Sequence, residues 1–391
     1  MKRIFLTGGT GFIGSFLAVK FMKKGYELTI LARGKRGRSA QERVDEILSF
    51  VDSEAAQYRD CGQYKVVEGD VAQTNLGVTD ENACRNIDVF FHVAASTDFS
   101  EKNREEIYRT NSEGVFNALR FCTKHGINEF HHASTLFVSG RRDGIIREDE
   151  LNCGQDFANP YESSKMFGEA LVHKWGEEMP SRRFKIYRLP VVCGDNLTGK
   201  TTTFTGLYGF LAPFWVLKSN ILRRFEHDGH RLLDAGIRLD TDNRLTIPLT
   251  IKISSSSSVE LASVDWVVET MTSLFESVTP ENLTFHLARK DKILAHRLVE
   301  QCMKFLGISG INIVDEIIPA RHKHPVLRLL QKNIDFLTGR FRDYANQHKH
   351  FDDTNVSNTL KGCYSSPPEI DDALLERLIS FAMERNFRAY E

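Results

Sequence analysis

The chain has 391 residues, of which 41% are hydrophobic and 26% are charged, and its formal net charge is −1. This composition is ordinary for a globular protein, and the neutral balance gives no general electrostatic attraction to nucleic acid or to an anionic membrane. The seven cysteines are dispersed without a Cys-x-x-Cys spacing. They indicate reduced thiols rather than a disulfide framework or a zinc site, and we expect no bound metal.

The N-terminal segment has two basic residues and only a short apolar run before a group of glycines. A secretory signal peptide needs a longer apolar region, so none is predicted. The most hydrophobic stretch, residues 207–222, contains Pro213 and Lys218 and is too short to span a bilayer. We therefore expect a cytoplasmic protein without a transmembrane segment.

Strand and helix patterns alternate over residues 1–190. The first strand is followed by a glycine-rich turn and by a helix over about 12–24, which Gly25 ends. Later strands are predicted from the apolar runs YELTILA, YKVVEGD, DVFFHVAAS, EFHHAST and FKIYRLP. Apolar strands that alternate with helices predict an α/β protein, with a doubly wound, parallel Rossmann sheet and helices on both of its faces.

The alternation fails after residue 197. An apolar stretch and then a charged, irregular piece follow, and the serine run 254–258 is typical of an exposed loop. A strand and a helix are again predicted near 259–276, and the tail ends in an amphipathic helix. We therefore predict two units: an NADP-binding Rossmann domain from 1–197 plus about 246–290, and a smaller, discontinuous substrate-binding lobe from about 198–245 plus 291–391.

The turn after the first strand reads TGGTGFIG. Its glycines satisfy both G-x-G-x-x-G and G-x-x-G-x-x-G, and the turn joins a strand to a helix as a dinucleotide-binding turn requires. Glycines let the backbone approach a pyrophosphate, whose charge the helix N-terminus stabilises. The predicted contacts are Gly8, Gly9, Thr10, Gly11, Phe12, Ile13 and Gly14.

The second strand ends in a basic turn with Arg33, Lys35 and Arg36. A site that prefers NAD usually has Asp or Glu near this point for the ribose 2′-hydroxyl. A cation there would pair with the 2′-phosphate of NADP and has no comparable partner in NAD. We therefore expect NADPH (NADP) to be preferred over NAD, with Arg33 as the chief phosphate contact.

Taken in order, the motifs resemble an extended short-chain dehydrogenase/reductase. They are TGGTGFIG, GDV at 69–71, HVAAST at 92–97, NSEG at 111–114, ASTLFVSG at 133–140, PYESSK at 160–165 and YRLPVVCGD at 187–195. Within that superfamily, FHVAASTDF, STLFVSG and ASVDWVVE are most similar to the acyl-thioester reductase branch, which includes fatty acyl-CoA reductases. The region 200–250 matches no part of that pattern.

The resemblance implies a set of catalytic residues. Tyr161 would be the general acid, and Lys165, one helical turn further on, would lower the pKa of the tyrosine and hold the nicotinamide ribose. Thr135 would bond the carbonyl oxygen, with Ser134 as its substitute. Asn111 would clamp the backbone. The resemblance also implies cofactor contacts from Asp70, Val71, Ala94, Ala95, Ser96, Pro190, Val191, Val192 and Cys193.

The implied reaction is hydride transfer from NADPH to an acyl thioester, carried on CoA or on a carrier protein, which gives an aldehyde and, after a second hydride, an alcohol. A carbonyl reductase acting on an aldehyde, ketone or sterol needs the same residues and stays open as an alternative. A sugar-nucleotide epimerase or dehydratase is a further one, although Leu136 and Phe137 follow Thr135 where a dehydratase has an acid–base pair. A sensor that only binds NADPH is disfavoured because Tyr161 and Lys165 are both present.

The other partners are less defined. We expect no nucleic acid, and a homodimer stays open. Apolar residues recur at helical spacing in 207–221, which predicts either the wall of an acyl-chain site or ordinary core of the lobe. These residues are Leu207, Phe210, Leu211, Phe214 and Ile221.

Overall fold

The protein is described by a computed structural model that covers residues 2–279, 282–315, 324–341, 344, 348–362 and 365–389. The strands are β1 (Arg3–Thr7), β2 (Glu27–Ala32), β3 (Tyr64–Glu68), β4 (Val89–His92), β5 (Glu129–Thr135), β6 (Gly144–Ile146), β7 (Arg183–Leu189), β8 (Val191–Cys193), β9 (Arg238–Leu239), β10 (Leu245–Thr246), β11 (Thr250–Lys252), β12 (Ser258–Val259), β13 (Leu261–Ser263), β14 (Leu283–His286), β15 (Ile293–Leu294), β16 (Ile308–Ser309), β17 (Asn312–Val314) and β18 (Lys349–Phe351). The helices are α1 (Phe12–Lys23), α2 (Ala40–Val51), α3 (Ala55–Asp60), α4 (Arg104–Tyr108), α5 (Gly114–His125), α6 (Pro160–Glu177), α7 (Leu207–Asp234), α8 (Val264–Glu276), α9 (Ala295–Phe305), α10 (Pro325–Thr338), α11 (Thr354–Thr359) and α12 (Asp372–Glu384).

A seven-stranded parallel sheet forms the centre of the fold, with the strand order β3-β2-β1-β4-β5-β7-β14. This is the doubly wound order of a dinucleotide-binding domain. The predicted fold class is therefore confirmed, and the predicted helix at 12–24 agrees with α1.

Side chains alternate between the two faces of this sheet, as the period of a strand requires. On β1, Ile4 and Leu6 pack with α1, α2 and α8, whereas Phe5 packs with α5 and α6. The ring of Phe5 stacks on Phe90 at 5.0 Å, and Phe90 stacks on Phe130 at 5.4 Å. This column joins three neighbouring strands, and each aromatic pair contributes about 0.5–1.5 kcal/mol beyond the burial of its area.

The lobe has a second apolar core, which contains buried residues of α7, α9, α10 and α12. Ile247, Leu249, Ile251 and Ile253 also belong to this core. Their packing places the stretch after β10 with the lobe, and the chain returns to the sheet domain at β13, which pairs with β8. The division into domains at about 246 stays a prediction, and this packing favours a later boundary.

The charged piece that was expected to be irregular is largely helical. Helix α7 continues from the apolar stretch through Arg231 to Asp234, with Pro213 inside it. Proline removes one backbone donor and crowds the residue four positions earlier. The crowded group is the carbonyl oxygen of Gly209, which Pro213 cannot supply with a backbone hydrogen bond. Among the described residues, no helix is both long and apolar enough to cross a membrane.

The start of α6 is fixed by its own sequence. Asn159 is the N-cap, and its side-chain oxygen accepts a hydrogen bond from the backbone N–H of Glu162 at 3.1 Å. Pro160 occupies the first helical position, where its missing N–H costs nothing. These two residues set where the first turn of α6 begins, and that turn contains Tyr161.

A buried ion pair joins α6 to the sheet. The guanidinium of Arg188 on β7 donates two bonds from Nε and one from Nη2 to the carboxylate of Glu169, at 2.8–3.1 Å. Arg188 is 1% exposed and Glu169 is 0% exposed. Nη1 of Arg188 lies 3.0 Å from Nε2 of His286 on β14. Nδ1 of the same histidine lies 2.8 Å from the carbonyl oxygen of Asp352. The pair therefore connects the helix, two strands and the C-terminal segment.

Arg188→Leu should destabilise the fold by about 3–5 kcal/mol, because it leaves the carboxylate of Glu169 buried without its cation. Urea unfolding measures this change. Arg104→Leu is the matched control, since its ion pair with Glu101 is exposed, and it should cost no more than about 1 kcal/mol. Equal losses in the two variants would contradict the role given to the buried pair.

Candidate active site

A cavity of about 1220 Å³ lies at the carboxyl ends of the strands and extends into the lobe. In open α/β sheets this edge, where the strand order reverses, is where ligands bind. One end is bounded by the glycine turn, the middle by residues of β5 and α6, and the far end by apolar residues of the lobe. Residues from both parts of the chain therefore share one site.

The glycine turn has no room for side chains. A Cβ on Gly8, whose φ is +78°, would lie 2.6 Å from the backbone nitrogen of Ala94, and one on Gly14 would lie 2.1 Å from the carbonyl oxygen of Gly8. Gly9 does not line the cavity. It packs against Ile30 of β2, where its Cβ would lie 2.6 Å from Cγ2.

Helix α1 starts directly at this turn. Its N-cap is Gly11, no side chain caps it, and its first turn has no acidic residue. The first backbone N–H groups of a helix lack partners within the helix and attract anions. Gly8, Thr10, Gly11, Phe12, Ile13 and Gly14 line the cavity here. Together they fit the pyrophosphate of a dinucleotide.

Two arginines lie on the side of this cavity where β2 ends. Arg33 pairs with Asp70 at 3.1 Å, and its side chain is 59% exposed. Arg43 of α2 donates to the carbonyl oxygen of Arg33 at 2.5 Å, and both arginines line the cavity. Burial first, and then the neighbouring Arg33 and Arg38, lower the pKa of Arg43. Such a cluster of cations can pair with a phosphate.

The sequence interpretation missed Arg43 and selected Lys35 and Arg36 instead. These two lie in the turn beyond Arg33, outside the residues that line the cavity. The signal for Arg43 was present in the sequence. Ser39 and Glu42 form a capping box, so α2 begins just after the basic turn and its first residues return towards the end of β2.

The structure brings the three proposed catalytic residues to one wall of the cavity. Thr135 ends β5, and Tyr161 and Lys165 lie one turn apart on α6. The hydroxyl of Thr135 lies close enough to the phenol of Tyr161 to lower the pKa of that phenol. It also accepts from the backbone N–H of Phe137 at 3.3 Å and lies 3.4 Å from the carbonyl oxygen of Leu189. Thr135 is therefore held beside the phenol.

The Lys165 ammonium is held by two groups of β5. Its Nζ donates to the carbonyl oxygen of Ala133 at 2.7 Å and lies 3.4 Å from Nε2 of His132. Burial holds the pKa of His132 well below its usual range, so the ring is neutral and Nε2 can accept. Burial also lowers the pKa of Lys165 to about 8, and the carboxylate of Glu169 opposes this shift.

The expected lowering of the tyrosine pKa by Lys165 is not what the structure gives. Burial raises the pKa of Tyr161 to about 12. The neighbouring Thr135 hydroxyl lowers this pKa in part, and the carboxylate of Glu162 raises it further. Desolvation disfavours the phenolate. Tyr161 therefore carries its proton at neutral pH, as a proton donor must.

Two residues near this wall have their polar groups committed elsewhere. Asn111 clamps the backbone: its amide donates to the carbonyl oxygen of Ser96 at 3.0 Å, and its oxygen accepts from the N–H of Ser96 at 2.7 Å. It does not line the cavity. Ser134 lines the cavity but donates its hydroxyl to Glu169. The only hydroxyl proton of Ser134 is thus committed to Glu169.

The remaining predicted cofactor contacts divide in the same way. Cys193 is fully buried, its thiol lies 3.4 Å from the carbonyl oxygen of Ala262, and it does not line the cavity. The other predicted positions line the cavity: Asp70, Val71, Ala94, Ala95, Ser96, Pro190, Val191 and Val192.

An aromatic wall beside Tyr161 was not predicted. The ring of Phe99 lies 5.6 Å from that of Tyr161 and stacks on Tyr344 at 5.4 Å, while Phe137 meets Tyr344 edge-on at 4.7 Å. The hydroxyl of Tyr344 accepts from the side-chain amide of Asn159 at 2.9 Å. Tyr344 comes from the far end of the chain, and no local sequence pattern connects it with the site.

The apolar residues of 207–221 divide between the cavity and the core of the lobe. Leu207 and Phe210 line the cavity, whereas Leu211, Phe214 and Ile221 are buried in the core of the lobe. Further apolar residues complete the far end of the cavity: Phe204, Ile253, Val259, Leu261, Ala295, Leu298, Val299, Phe336, Leu337 and Phe341.

Comparisons with known proteins agree with this geometry. The sequence model of the family described as Male sterility protein matches residues 6–271. A putative fatty acyl-CoA reductase of Drosophila melanogaster is 24% identical over 269 residues, which cover 60% of this chain and 51% of the relative. A putative dihydroflavonol 4-reductase of Synechocystis is 28% identical over 176 residues, which cover 44% of this chain and 43% of the relative. The chain thus spans about half the length of these curated relatives.

The fold has close counterparts among solved structures. The terminal R domain of the myxalamid PKS-NRPS biosynthetic pathway superposes with a TM-score of 0.76 at 21% identity, covering 100% of this chain and 93% of that chain. A UDP-glucose 4-epimerase from Bifidobacterium longum superposes with a TM-score of 0.65 at 16% identity, covering 99% of this chain and 100% of that chain. At these identities the likeness concerns the fold alone.

Gly14→Ala should weaken dinucleotide binding by at least about tenfold, because the added methyl collides with the carbonyl oxygen of Gly8 and displaces the turn that approaches the pyrophosphate. Titration of NADPH fluorescence measures the affinity. Gly339→Ala is the control, since a Cβ there meets nothing within 4 Å. Unchanged binding in Gly14→Ala would refute the phosphate role of the turn.

Proposed function

Because the chain belongs to the Male sterility protein family and has the fold of an extended short-chain dehydrogenase/reductase, we propose that this oxidoreductase reduces an acyl thioester with NADPH. The observation that carries the proposal is the shared cavity. Thr135, Tyr161 and Lys165 line its middle, between a dinucleotide turn and an apolar chamber in the lobe. The similarity to a putative fatty acyl-CoA reductase supports an acyl substrate.

The cofactor, when bound, supplies the hydride. The chain's own residues then handle the substrate oxygen, which gains the electrons of the carbonyl bond as the new C–H bond forms. Tyr161 donates its proton to this oxygen while the Thr135 hydroxyl bonds it, so that two positioned donors stabilise the developing charge. The resulting hemithioacetal then loses its C–S bond. Its hydroxyl proton passes to the departing sulfur, so that a thiol and an aldehyde are released.

Lys165 supports this step without contacting the acyl carbon. Its ammonium, fixed by the carbonyl oxygen of Ala133, is one helical turn from Tyr161 and would bond the ribose hydroxyls of the cofactor. The ammonium, with three N–H donors, can bond both the carbonyl oxygen of Ala133 and those hydroxyls. The charged form of Lys165 is therefore the active one.

The far end of the cavity suits an acyl chain. Phe204, Leu207 and Phe210 of the lobe line it together with apolar residues of α9. Removal of a methylene group from water contributes about 0.8 kcal/mol, so a chain that fills this chamber would bind more tightly with each added carbon. A polar substrate such as a sugar nucleotide would leave its hydroxyls without partners there.

A carbonyl reductase is the second candidate, because the chain is also similar to a putative dihydroflavonol 4-reductase. The test is NADPH oxidation against a panel of acyl-CoA esters and the corresponding aldehydes and ketones, with free thiol measured in parallel. Thiol release that matches NADPH consumption on thioesters is the expected result. Turnover on aldehydes or ketones alone would instead establish the carbonyl reductase.

Tyr161→Phe should retain NADPH affinity and lose about 10²- to 10⁴-fold in turnover, because the proton donor is gone while the cavity keeps its shape. Tyr108→Phe is the matched control. The hydroxyl of Tyr108 donates at 2.7 Å to the hydroxyl of Ser163, which lies on the same helix as Tyr161. Tyr108 does not line the cavity. An active Tyr161→Phe variant would show that another group protonates the substrate.

Substitution of Arg33 or Arg43 by Gln should weaken NADPH binding by about 10- to 100-fold, because a charge-assisted bond to the 2′-phosphate is lost. NADH binding should stay nearly constant. Arg38→Gln is the control, because Arg38 pairs with Glu46 outside the cavity. If both cofactors weaken equally, these arginines do not select the 2′-phosphate.

The rate should depend on pH through Lys165. Since burial lowers its pKa to about 8, the ammonium is present below that pH and is lost above it. We expect kcat/KM to be constant near neutral pH and to fall about tenfold per unit above pH 8. Lys165→Arg, which stays charged, should lack this fall in whatever activity it keeps. A native profile that is flat up to pH 10 would contradict the assignment.

A further inference from the structure

Helix α10 presents apolar side chains on two opposite faces. Leu327 and Ile334 are buried in the core of the lobe. On the outer face, Leu329 is 57% exposed, Phe336 is 83% exposed and Leu337 is 43% exposed. Single exposed apolar residues are normal on a protein surface, but three on one helix of this length form a patch, and patches mark contact surfaces.

The polar residues of this outer face are cationic or neutral. Arg328 and Lys332 are exposed beside the apolar residues, and so is Asn333. The acidic residue of α10, Asp335, is only partly exposed and accepts a hydrogen bond from the amide of Gln331 at 2.9 Å. Exposed large apolar side chains together with Lys and Arg are typical of helices that lie in the interface of a bilayer.

The cavity opens at this same face. Phe336 and Leu337 line the cavity although both are exposed, so its apolar end reaches the surface beside α10. An aromatic path leads inward from there. The ring of Phe341 lies 6.5 Å from Phe99, and Phe99 lies 5.6 Å from Tyr161. Phe341 lines the same cavity as Phe336, so a chain in this cavity would pass aromatic side chains on its way to the proton donor.

We propose that the outer face of α10 docks on a lipid bilayer containing anionic lipid, with Phe336 and Leu329 inserted among the acyl chains and Arg328 and Lys332 at the headgroups. The entry of an acyl substrate from the bilayer rests on the proposed function, whereas the docking does not. Acyl chains accommodate exposed apolar side chains, and anionic headgroups pair with cations. A bilayer with anionic lipid provides both kinds of contact. Since the chain as a whole has a charge of −1, the attraction to this lipid comes from the cations of the outer face of α10.

The test is co-sedimentation of the full chain with vesicles of phosphatidylcholine containing about 30% phosphatidylserine, a fraction that gives a strongly anionic surface, and with vesicles of phosphatidylcholine alone. No substrate or cofactor is present. The native chain should partition onto the anionic vesicles. Leu329→Asp and Phe336→Asp should each weaken partitioning by at least about tenfold, since a charge replaces the inserted group. Leu197→Asp, at a site 80% exposed outside α10, should bind as the native chain does.

Charge is tested separately. Arg328→Gln and Lys332→Gln should each lower partitioning onto anionic vesicles by about fivefold, and leave binding to neutral vesicles unchanged. The proposal is overturned if the native chain stays in solution with both kinds of vesicle, or if Leu197→Asp loses as much binding as Leu329→Asp. Failure of the reductase proposal is seen independently, as absence of turnover on a short-chain, water-soluble thioester.

Discussion

The anchoring of α6 to the sheet is the constraint on which the site depends. Three buried polar contacts achieve it: Lys165 to the carbonyl oxygen of Ala133, Ser134 to Glu169, and Glu169 to Arg188. Buried charges are costly unless they are paired and hydrogen-bonded. Here that cost enforces one position of the helix against β5, and so it fixes Tyr161 beside Thr135.

The same burial sets the protonation states. Loss of water raises the pKa of Tyr161 to about 12 and lowers that of Lys165 to about 8. The phenol therefore keeps its proton at neutral pH, and the ammonium loses its proton only near pH 8. A solvated pair on an exposed helix would have neither property. The burial of these two side chains is thus as much a part of the chemistry as the side chains themselves.

The features that could be predicted from sequence are those set by local chemistry. The glycine turn, the capped start of α6 and the order of Thr135, Tyr161 and Lys165 follow from short motifs in one part of the chain. Arg43 was missed because helix α2 returns it to the end of β2, ten residues from Arg33. Tyr344 was missed because only tertiary packing brings the tail of the chain to Phe99. The lobe has helical periodicity at 207–221 and in the tail, but no local signal joins these distant segments into one core.

The most direct measurement is a single turnover of a long-chain acyl-CoA with NADPH that carries deuterium at the transferable position of C4, followed by mass analysis of the aldehyde and assay of the thiol. We predict one deuterium on the aldehyde carbon for each thiol released, and neither product from Tyr161→Phe in the same time. Thiol released without deuterium in the product would mean hydrolysis instead of reduction. That result would contradict the proposed reduction of an acyl thioester by NADPH.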